Sequence, residues 1–190
     1  MHTTPAIDPA TGILIGARQV LSPHFDARPP GVLPTLLVVH GISLPEGEFG
    51  GPWIDRLFTG DLPAGAHPSF AAVATLRVSA HALIRRDGAT TQYVVFGARA
   101  WHAGNSSYRG REACNDFSVG IELEGADRVA YTEEQYCSLA QLIASLCTAY
   151  PTLSARELVG HSDIAPGRKT DPGPAFDWSY LRDSLRGLLP

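Results

Sequence analysis

The chain has 190 residues, of which 44% are hydrophobic and 18% charged, a composition typical of a globular protein with a substantial core. Its net charge of −4 and its pI near 5.9 exclude a general electrostatic attraction to nucleic acids or anionic membranes. Residues 1–20 lack a basic segment followed by a long apolar run, and no later stretch is long and apolar enough to span a bilayer. We therefore expect a cytoplasmic protein with no nucleic-acid partner and no membrane association.

The first half of the chain predicts one buried strand between two irregular segments. Residues 1–30 are irregular, with a short strand or helix over residues 13–21. Residues 35–39 (TLLVV) are apolar and β-branched, which predicts a buried strand that ends at His40. Residues 41–70 are rich in Gly and Pro and predict a long functional loop. Within it we expect a short helix over residues 53–58, opened by Pro52, and a helical turn follows over residues 69–75.

The middle of the chain carries strand signals. Residues 80–85 and 91–95 are rich in β-forming residues and flank Asp87-Gly88, which predicts a β-hairpin. Residues 119–124 (VGIELE) alternate apolar and acidic side chains, which predicts a strand with Glu122 and Glu124 on one face.

The last third predicts two helices around a short strand. Residues 132–150 have apolar side chains at helical spacing behind a Thr132–Gln135 capping box. Residues 158–160 can form a last strand, and Asp177 is placed to cap a helix over residues 178–188. Strands interspersed with helices predict an α/β fold, a single domain with a mixed central β-sheet flanked by helices.

Two residue types are used unusually. Cys114, Cys137 and Cys147 are odd in number and lack CxxC spacing, which favours reduced thiols over a disulfide framework or a cysteine-based metal site. Of the 15 basic residues, only Lys169 is a lysine. A compact ammonium differs from a guanidinium in shape and in how readily its pKa shifts, so Lys169 is a candidate functional residue, with chance as the alternative.

Three polar residues lie where predicted strands end or loops begin. His40 and His161 each follow a predicted strand, and Asp171 lies ten residues after His161 on a loop that can return to it. A catalytic zinc site needs about three protein ligands and an open position for water, which two imidazoles and one carboxylate provide. Spacing alone leaves open that these are hydrogen-bonded or surface residues, and that another divalent ion binds.

The residues around these positions resemble a known family. The resemblance is carried by VVHGISLPEGEFGGPWI (38–54), RVSAHALIRRDG (77–88), AWHAGNSSYRGREACNDFSVGIELEG (100–125) and GHSDIAPGRKTDPGPAFDW (160–178). These segments resemble the cytoplasmic 1,6-anhydro-N-acetylmuramyl-L-alanine amidases (AmpD) of the amidase type 2 and peptidoglycan-recognition superfamily. The resemblance covers about residues 36–178. It implies the peptidoglycan-recognition/amidase type 2 fold, with residues 1–190 as one zinc amidase domain and residues 1–30 as an extension packed on it.

The same resemblance implies roles for five residues. It implies one Zn²⁺ per chain, held by His40, His161 and Asp171, and it makes Glu122 and Lys169 the catalytic residues. Zinc lowers the pKa of its bound water toward about 7. Glu122 can then take the proton of the water and deliver it to the leaving amine. Lys169 can stabilise the negative charge that develops on the amide oxygen.

The roles of several further residues have two interpretations. Arg77 can pair a carboxylate of a substrate peptide or form a surface ion pair. Trp101 can stack on a sugar or pack against the protein, and His102 can line the pocket or support its loop. We interpret Glu124 as structural and His81 as a hydrogen-bonded core residue.

The sequence also departs from the family pattern. Gly41 replaces a frequent Asn after the first ligand, and Ala113 replaces a frequent Arg. The first change removes a side-chain donor near the sugar, and the second removes one possible contact with a peptide carboxylate. Neither change touches the implied zinc ligands, so it is the binding of the substrate, not the chemistry, that they affect.

The implied function is hydrolysis of the amide between the lactyl group of (1,6-anhydro-)N-acetylmuramic acid and L-alanine, in peptidoglycan recycling. The expected partner is a small-molecule muropeptide, and the expected state is a monomer. Such an enzyme would also lower the muropeptide pools that induce β-lactamase in some bacteria. Three alternatives stay open: an exported amidase acting on intact cell wall, a non-catalytic peptidoglycan-binding module and a purely structural metal domain. A binding module usually lacks a metal ligand, and none is missing here.

Overall fold

The computed structural model describes residues 5–189. Its strands are β1 (Arg18–Gln19), β2 (Phe25–Asp26), β3 (Leu36–Ile42), β4 (Ala82–Ile84), β5 (Thr90–Gln92), β6 (Arg99–Ala100), β7 (Ser107–Tyr108), β8 (Arg111–Glu112), β9 (Ser118–Glu124) and β10 (Leu158–Gly160). Its α-helices are α1 (Trp53–Thr59), α2 (Glu133–Ala149), α3 (His161–Ile164) and α4 (Trp178–Arg186). Two 3₁₀-helices span Pro68–Ala72 and Cys114–Asp116.

The strands that position the site belong to one mixed sheet with the spatial order β1-β5-β4-β9-β3-β10. β4 and β5 are antiparallel, and the other neighbours run parallel. β3 and β9 lie next to each other inside the sheet, and all of β9 is buried, as expected for strands covered on both faces. The prediction of an α/β fold with a mixed central sheet is confirmed.

Helices cover the two faces of this sheet. On one face, α2 and α4 pack their apolar sides on Leu37 and Val39 of β3 and on Ile121 of β9. On the other face, α1 and the Pro68–Ala72 helix form a second cluster with β4 and with the residues that follow β5, in which Leu57, Phe58 and Phe70 are buried. Because side chains alternate along a strand, His40, Glu122 and Glu124 lie on the face opposite to Leu37, Val39 and Ile121.

The predictions of elements with strong local sequence signals are confirmed. Thr132 and Gln135 form the predicted capping box at the start of α2. α1 begins directly after Pro52, and Asp177 accepts hydrogen bonds from the first turn of α4. The hairpin turns at Asp87-Gly88, although β4 and β5 have only three residues each. The undecided segment 13–21 contains the short strand β1.

Some predicted boundaries are wrong. The strand predicted over residues 35–39 continues to Ile42 because β9 pairs with it along its whole length, so His40 lies within β3 rather than after it. α4 ends at Arg186 instead of residue 188. The short helix α3 was not predicted. It begins where the Gly160 amide donates to the Asp163 carboxylate at 2.7 Å.

Residues 5–30 contact the rest of the chain through short strands and core side chains. β1 pairs with β5, β2 pairs with β6, and Ile7 and Leu14 are buried with α2. The three cysteines are free thiols. Within residues 5–189, none of the helices has both the length and the hydropathy needed to cross a membrane.

Candidate active site

A cavity of about 240 Å³ lies at the carboxyl ends of β3, β9 and β10. Part of its lining, here called the polar wall, consists of His40, His102, Glu122, His161, Lys169 and Asp171. Another part, here called the apolar wall, comes from the segment between residues 42 and 78 and consists of Ile42, Leu44, Leu57, Phe58, Val73, Leu76 and Val78.

His40, His161 and Asp171 meet in the polar wall. The His40 Nδ1 lies 2.9 Å from the His161 Nδ1 and 3.2 Å from the Asp171 Oδ2. The His161 Nδ1 lies 3.1 Å from the same carboxylate oxygen. Both histidines are buried, and the three atoms lie within 4.8 Å of one another, close enough to bind one metal ion. β3 and β10 are paired, which brings His161, just past the end of β10, beside His40.

When His161 is neutral, as a metal ligand must be, its hydrogen bonds place the lone pair on Nδ1. The His161 Nε2 lies 3.2 Å from the Ala103 carbonyl oxygen, which can only accept, so this nitrogen donates. In a neutral imidazole the other nitrogen then has no proton, and it points at the Asp171 carboxylate. Two electron-rich atoms at this distance repel unless a cation lies between them. The donor set of two imidazoles and one carboxylate, with a fourth position open to the cavity, fits a catalytic zinc ion.

The protein keeps His40 neutral, as a metal ligand must be. Burial lowers the pKa of His40 to about 4, and hydrogen bonding to Asp171 opposes that shift only in part. The imidazole is therefore neutral at neutral pH, and its nitrogen without a proton is able to bind a cation.

Glu122 lies beside the three candidate ligands. It pairs with His40 in the register of β3 and β9, lines the cavity, and is only 8% exposed. Its Oε2 has no hydrogen-bond partner among the residues that the structure describes. Burial, and next the negative charge of Asp171, raise the pKa of Glu122 well above its ordinary value, while Lys169 lowers it. A carboxyl group with a raised pKa at the edge of a cleft can act as a general base and acid near neutral pH.

Lys169 reaches the cavity from the loop after α3. Its backbone amide donates to the Ala165 carbonyl at 3.0 Å, which closes the turn that follows the helix. The residue lines the same cavity as Glu122 and Asp171, and its positive charge acts on Glu122. A cation in this position can stabilise negative charge that develops on a substrate oxygen.

Of the three residues predicted as substrate contacts, one lines the cavity and two do not. His102 is buried in the polar wall, and its Nδ1 lies 2.9 Å from the His40 Nε2. Trp101 and Arg77 do not line the cavity. The Trp101 indole donates to Asp26 at 3.1 Å, and the Arg77 guanidinium lies 5.5 Å from the Trp101 ring. Within residues 5–189 Arg77 forms no ion pair.

Glu124 and His81 have structural partners, as predicted. The Glu124 carboxylate pairs with Arg85 at 2.8 Å and accepts the Gly50 amide at 2.7 Å, so it ties the loop after β3 to the sheet. A wider groove of about 570 Å³ is lined in part by Arg85 and Glu124, whose charges are already paired with each other. His81 accepts the Gly120 amide through Nδ1 at 3.0 Å and donates to the Ala98 carbonyl at 3.1 Å.

The two departures from the family pattern lie in different places. Gly41 lines the cavity, and a Cβ atom there would overlap the Tyr131 hydroxyl, which donates to the Pro172 carbonyl at 2.9 Å. Ala113 is exposed and has a left-handed backbone with φ of 58° just before the Cys114–Asp116 helix.

Sequence reasoning missed the apolar wall and Ser118. Four residues of the apolar wall lie in the segment 41–70 predicted as a loop, Val73 lies in the predicted helical turn 69–75, and Leu76 and Val78 follow that turn. Only the Leu57-Phe58 pair, near the end of the short helix, signals burial. Ser118 opens β9 and lies 3.0 Å from the His102 Nε2. Its inward position on the face of Glu122 follows from strand alternation, so this signal was available in the sequence.

Known proteins share this sequence and this fold. The sequence profile of the N-acetylmuramoyl-L-alanine amidase family matches residues 30–174. The 1,6-anhydro-N-acetylmuramyl-L-alanine amidase AmpD of Escherichia coli strain K12 is 64% identical over 171 residues, which cover 90% of this chain and 93% of that protein. A crystal structure of a selenomethionine derivative of AmpD superposes with a TM-score of 0.90 and 60% identity, covering 97% of this chain and 99% of that one.

A more distant structure contains a bound substrate. It is the N-acetylmuramyl-L-alanine amidase AmiD from E. coli, in complex with anhydro-N-acetylmuramic acid-L-Ala-D-γ-Glu-L-Lys. Its TM-score is 0.60 at 27% identity, covering 86% of this chain and 62% of that one. The fold, the cluster of polar residues and these similarities agree, and the chain belongs to the N-acetylmuramoyl-L-alanine amidase family.

Proposed function

We propose that this chain is a zinc-dependent amidase that hydrolyses the bond between the lactyl group of 1,6-anhydro-N-acetylmuramic acid and L-alanine in muropeptides. The observation that carries the proposal is the convergence of the two Nδ1 atoms and the Asp171 carboxylate beside Glu122. In this proposal His40, His161 and Asp171 hold one zinc ion, and Glu122 and Lys169 are the catalytic residues.

The side chains of the polar wall divide the work of hydrolysis. A bound zinc ion supplies Lewis acidity and lowers the pKa of water. Glu122 takes the proton from the attacking water and later delivers it to the nitrogen of the leaving L-alanyl peptide, because its raised pKa suits both transfers. Lys169 places its ammonium group where negative charge builds on the amide oxygen.

The shape of the cavity supports a sugar-peptide substrate. The apolar wall offers aliphatic and aromatic surface, including Leu57, Phe58 and Leu76, to the less polar face of an anhydro sugar. The amide then lies over the polar wall. AmpD of E. coli is named for this activity, and AmiD was crystallised with an anhydro-muramyl peptide.

The proposal includes the cellular setting. We place the enzyme in the cytoplasm, as a monomer, in the recycling of cell-wall fragments, where it lowers the muropeptide pools that induce β-lactamase in some bacteria. We also propose that residues 1–190 form one zinc amidase domain, since side chains from residues 5–30 belong to the same core as α2.

Metal analysis combined with activity tests this function. We expect the purified protein to hold one zinc ion, to cleave an anhydro-muropeptide, to lose activity with a chelator and to regain it with zinc. Glu122→Gln should keep the zinc and lose the activity. Stoichiometric zinc without cleavage by the wild-type protein would instead indicate a binding module. Faster cleavage of intact cell wall than of the anhydro-muropeptide would indicate an amidase for the polymer.

A further inference from the structure

A line of buried polar side chains runs from the candidate metal site into the sheet. The His40 Nε2 lies 2.9 Å from the His102 Nδ1, and the His102 Nε2 lies 3.0 Å from the Ser118 hydroxyl. The Ser118 hydroxyl lies 2.6 Å from the Cys114 carbonyl oxygen. All three side chains are buried.

The last acceptor in this line fixes the direction of every hydrogen bond. The Cys114 carbonyl can only accept, so the Ser118 hydroxyl donates its one proton to it. The His102 Nε2 must then donate to the Ser118 oxygen, which leaves the Nδ1 of a neutral His102 as an acceptor. His40 therefore donates from Nε2 to His102, and its own Nδ1 presents a lone pair to His161 and Asp171.

We infer that His102 and Ser118 are positioning residues that hold His40 in the one tautomer able to bind the metal ion through Nδ1. This inference rests on the proposed zinc site. Hydrogen bonds of this kind orient a ligating imidazole and strengthen its binding, and their loss typically lowers metal affinity about 10- to 100-fold. His102 thus acts through His40, and its main role is not contact with the substrate.

Two features of the sequence keep this line in place. A Cβ atom at Gly120 would overlap the His102 ring, so the glycine in the middle of β9 gives the imidazole its space. The half-buried Arg28 donates to the carbonyl oxygens of Asn115, Asp116 and Ser118 at 2.8–3.1 Å. It thereby holds the backbone that carries the Ser118 hydroxyl.

His81 provides the contrast that separates this role from ordinary packing. Its ring lies 5.8 Å from that of His102, and both are buried. However, the hydrogen bonds of His81 go to the backbone of Gly120 and Ala98, so it is satisfied without any side chain of the metal site. Of these two neighbouring histidines, His102 is the one whose hydrogen bonds end on a candidate ligand.

An isosteric pair of variants tests the inference. His102→Asn keeps an acceptor oxygen near the Nδ1 position, whereas His102→Leu has nearly the same shape and no acceptor. We expect His102→Leu to weaken zinc binding about 10- to 100-fold, measured by competition with a chromophoric chelator, and to change the visible absorption spectrum of the cobalt-substituted protein. His102→Asn should recover most of the affinity and the wild-type spectrum.

Ser118→Ala tests the same inference with a smaller change. Loss of the hydroxyl frees the tautomer of His102, so the zinc affinity should fall by less than in His102→Leu. Ser145→Ala is the matched control, since Ser145 is a buried serine whose hydroxyl bonds only to backbone carbonyls away from the site. Thermal unfolding of the metal-free variants reports whether each one is folded.

The outcomes separate this inference from the proposed function. A wild-type protein that fails to bind zinc would refute the proposed zinc site itself. Wild-type zinc affinity and spectrum in folded His102→Leu would overturn the inference alone, as would an equal loss in the Asn and Leu variants. If His102→Leu does not fold, Ser118→Ala decides the question. Unchanged zinc affinity in Ser118→Ala overturns the role of the hydroxyl. A loss of zinc affinity in Ser118→Ala that is absent from Ser145→Ala supports it.

Discussion

The polar wall and the apolar wall of the cavity are built in different ways. His40 and Glu122 lie on paired parallel strands and His161 follows a third, so backbone hydrogen bonds set the spacing between them. Apart from Ile42, the last residue of β3, the residues of the apolar wall come from the connection between β3 and β4, which contains α1 and a 3₁₀-helix. The difference shows that His40, Glu122 and His161 of the proposed site are placed by the sheet, whereas the surface proposed to receive the sugar is placed mainly by a connection that can vary without disturbing them.

Removal of a metal ligand from the polar wall should have the largest effect. Asp171→Ala deletes the only carboxylate of the proposed ligand set and leaves two imidazoles, so we expect loss of stoichiometric zinc and activity at the detection limit. Elemental analysis and a product assay measure both. Asp183→Ala is the control, because Asp183 is an exposed residue of α4 that pairs with Arg186. Retained zinc and activity in Asp171→Ala would refute the ligand assignment.

The acid–base residue should come next. Glu122→Gln keeps the size of the side chain but cannot take up a proton, so kcat should fall by about 10²- to 10⁴-fold with zinc content unchanged. Steady-state kinetics measures kcat, and metal analysis of the same sample measures its zinc content. If kcat stayed near the wild-type value, another group would be moving the proton.

Lys169 should show a smaller but clear effect on the chemical step. Lys169→Met removes the charge and keeps most of the chain length, so we expect kcat to fall by about 10²- to 10³-fold, as for loss of one oxyanion donor. Lys169→Arg restores the charge in a different shape and should recover part of the rate. A change in KM alone would assign Lys169 to substrate binding instead.

A change in the apolar wall should alter binding and leave the chemistry intact. Leu76 lines the cavity but is 45% exposed, so its truncation should spare the fold. We expect Leu76→Ala to raise KM about fourfold, the equivalent of one CH₂ group at about 0.8 kcal/mol, with kcat unchanged. Leu33→Ala is the control, since Leu33 is 59% exposed and lies outside the cavity. A fall in kcat would show that the two walls are not independent.

Lowering the pH should decrease the free energy of unfolding through His81, which lies in the core behind the polar wall. Burial lowers the pKa of His81 to about 3, whereas the unfolded chain protonates this residue near its ordinary pKa of 6.5. Below pH 6.5 the unfolded state therefore binds one more proton at this residue, and His81 alone lowers the free energy of unfolding by up to about 1.4 kcal/mol per pH unit toward pH 3. Denaturant unfolding of the metal-free protein at pH 7 and pH 5 measures the total slope, to which the buried His40 and His102 contribute in the same direction. His81→Asn should reduce that slope by the share of His81. An equal slope in both proteins would contradict this account.

What could be predicted from the sequence depends on how local the signal is. The α2 helix has its capping box and apolar stripe in one continuous segment, so its existence and its start are readable. The catalytic candidates became readable through the resemblance of long segments, because spacing alone leaves His40 and Asp171 as ordinary polar residues. Lys169 stands out in addition as the only lysine.

The missed features depend on contacts between distant segments. The apolar wall joins residues 42 and 78 through packing that no local pattern encodes. The hydrogen bond between His102 and Ser118 exists because the loop before the Cys114–Asp116 helix returns to the start of β9. Trp101 and Arg77 do not line the cavity, but each is adjacent in sequence to a residue that does.

Mass spectrometry of the products from a defined 1,6-anhydro-N-acetylmuramyl-peptide tests the central claim most directly. The reaction is run in heavy-oxygen water, with the zinc-loaded protein and with a chelator-treated sample. We predict 1,6-anhydro-N-acetylmuramic acid with one heavy oxygen in its lactyl carboxylate, a released peptide with a free L-alanine amine, and no reaction after chelation. Intact substrate with the zinc-loaded protein, or cleavage at any other bond, would contradict the account.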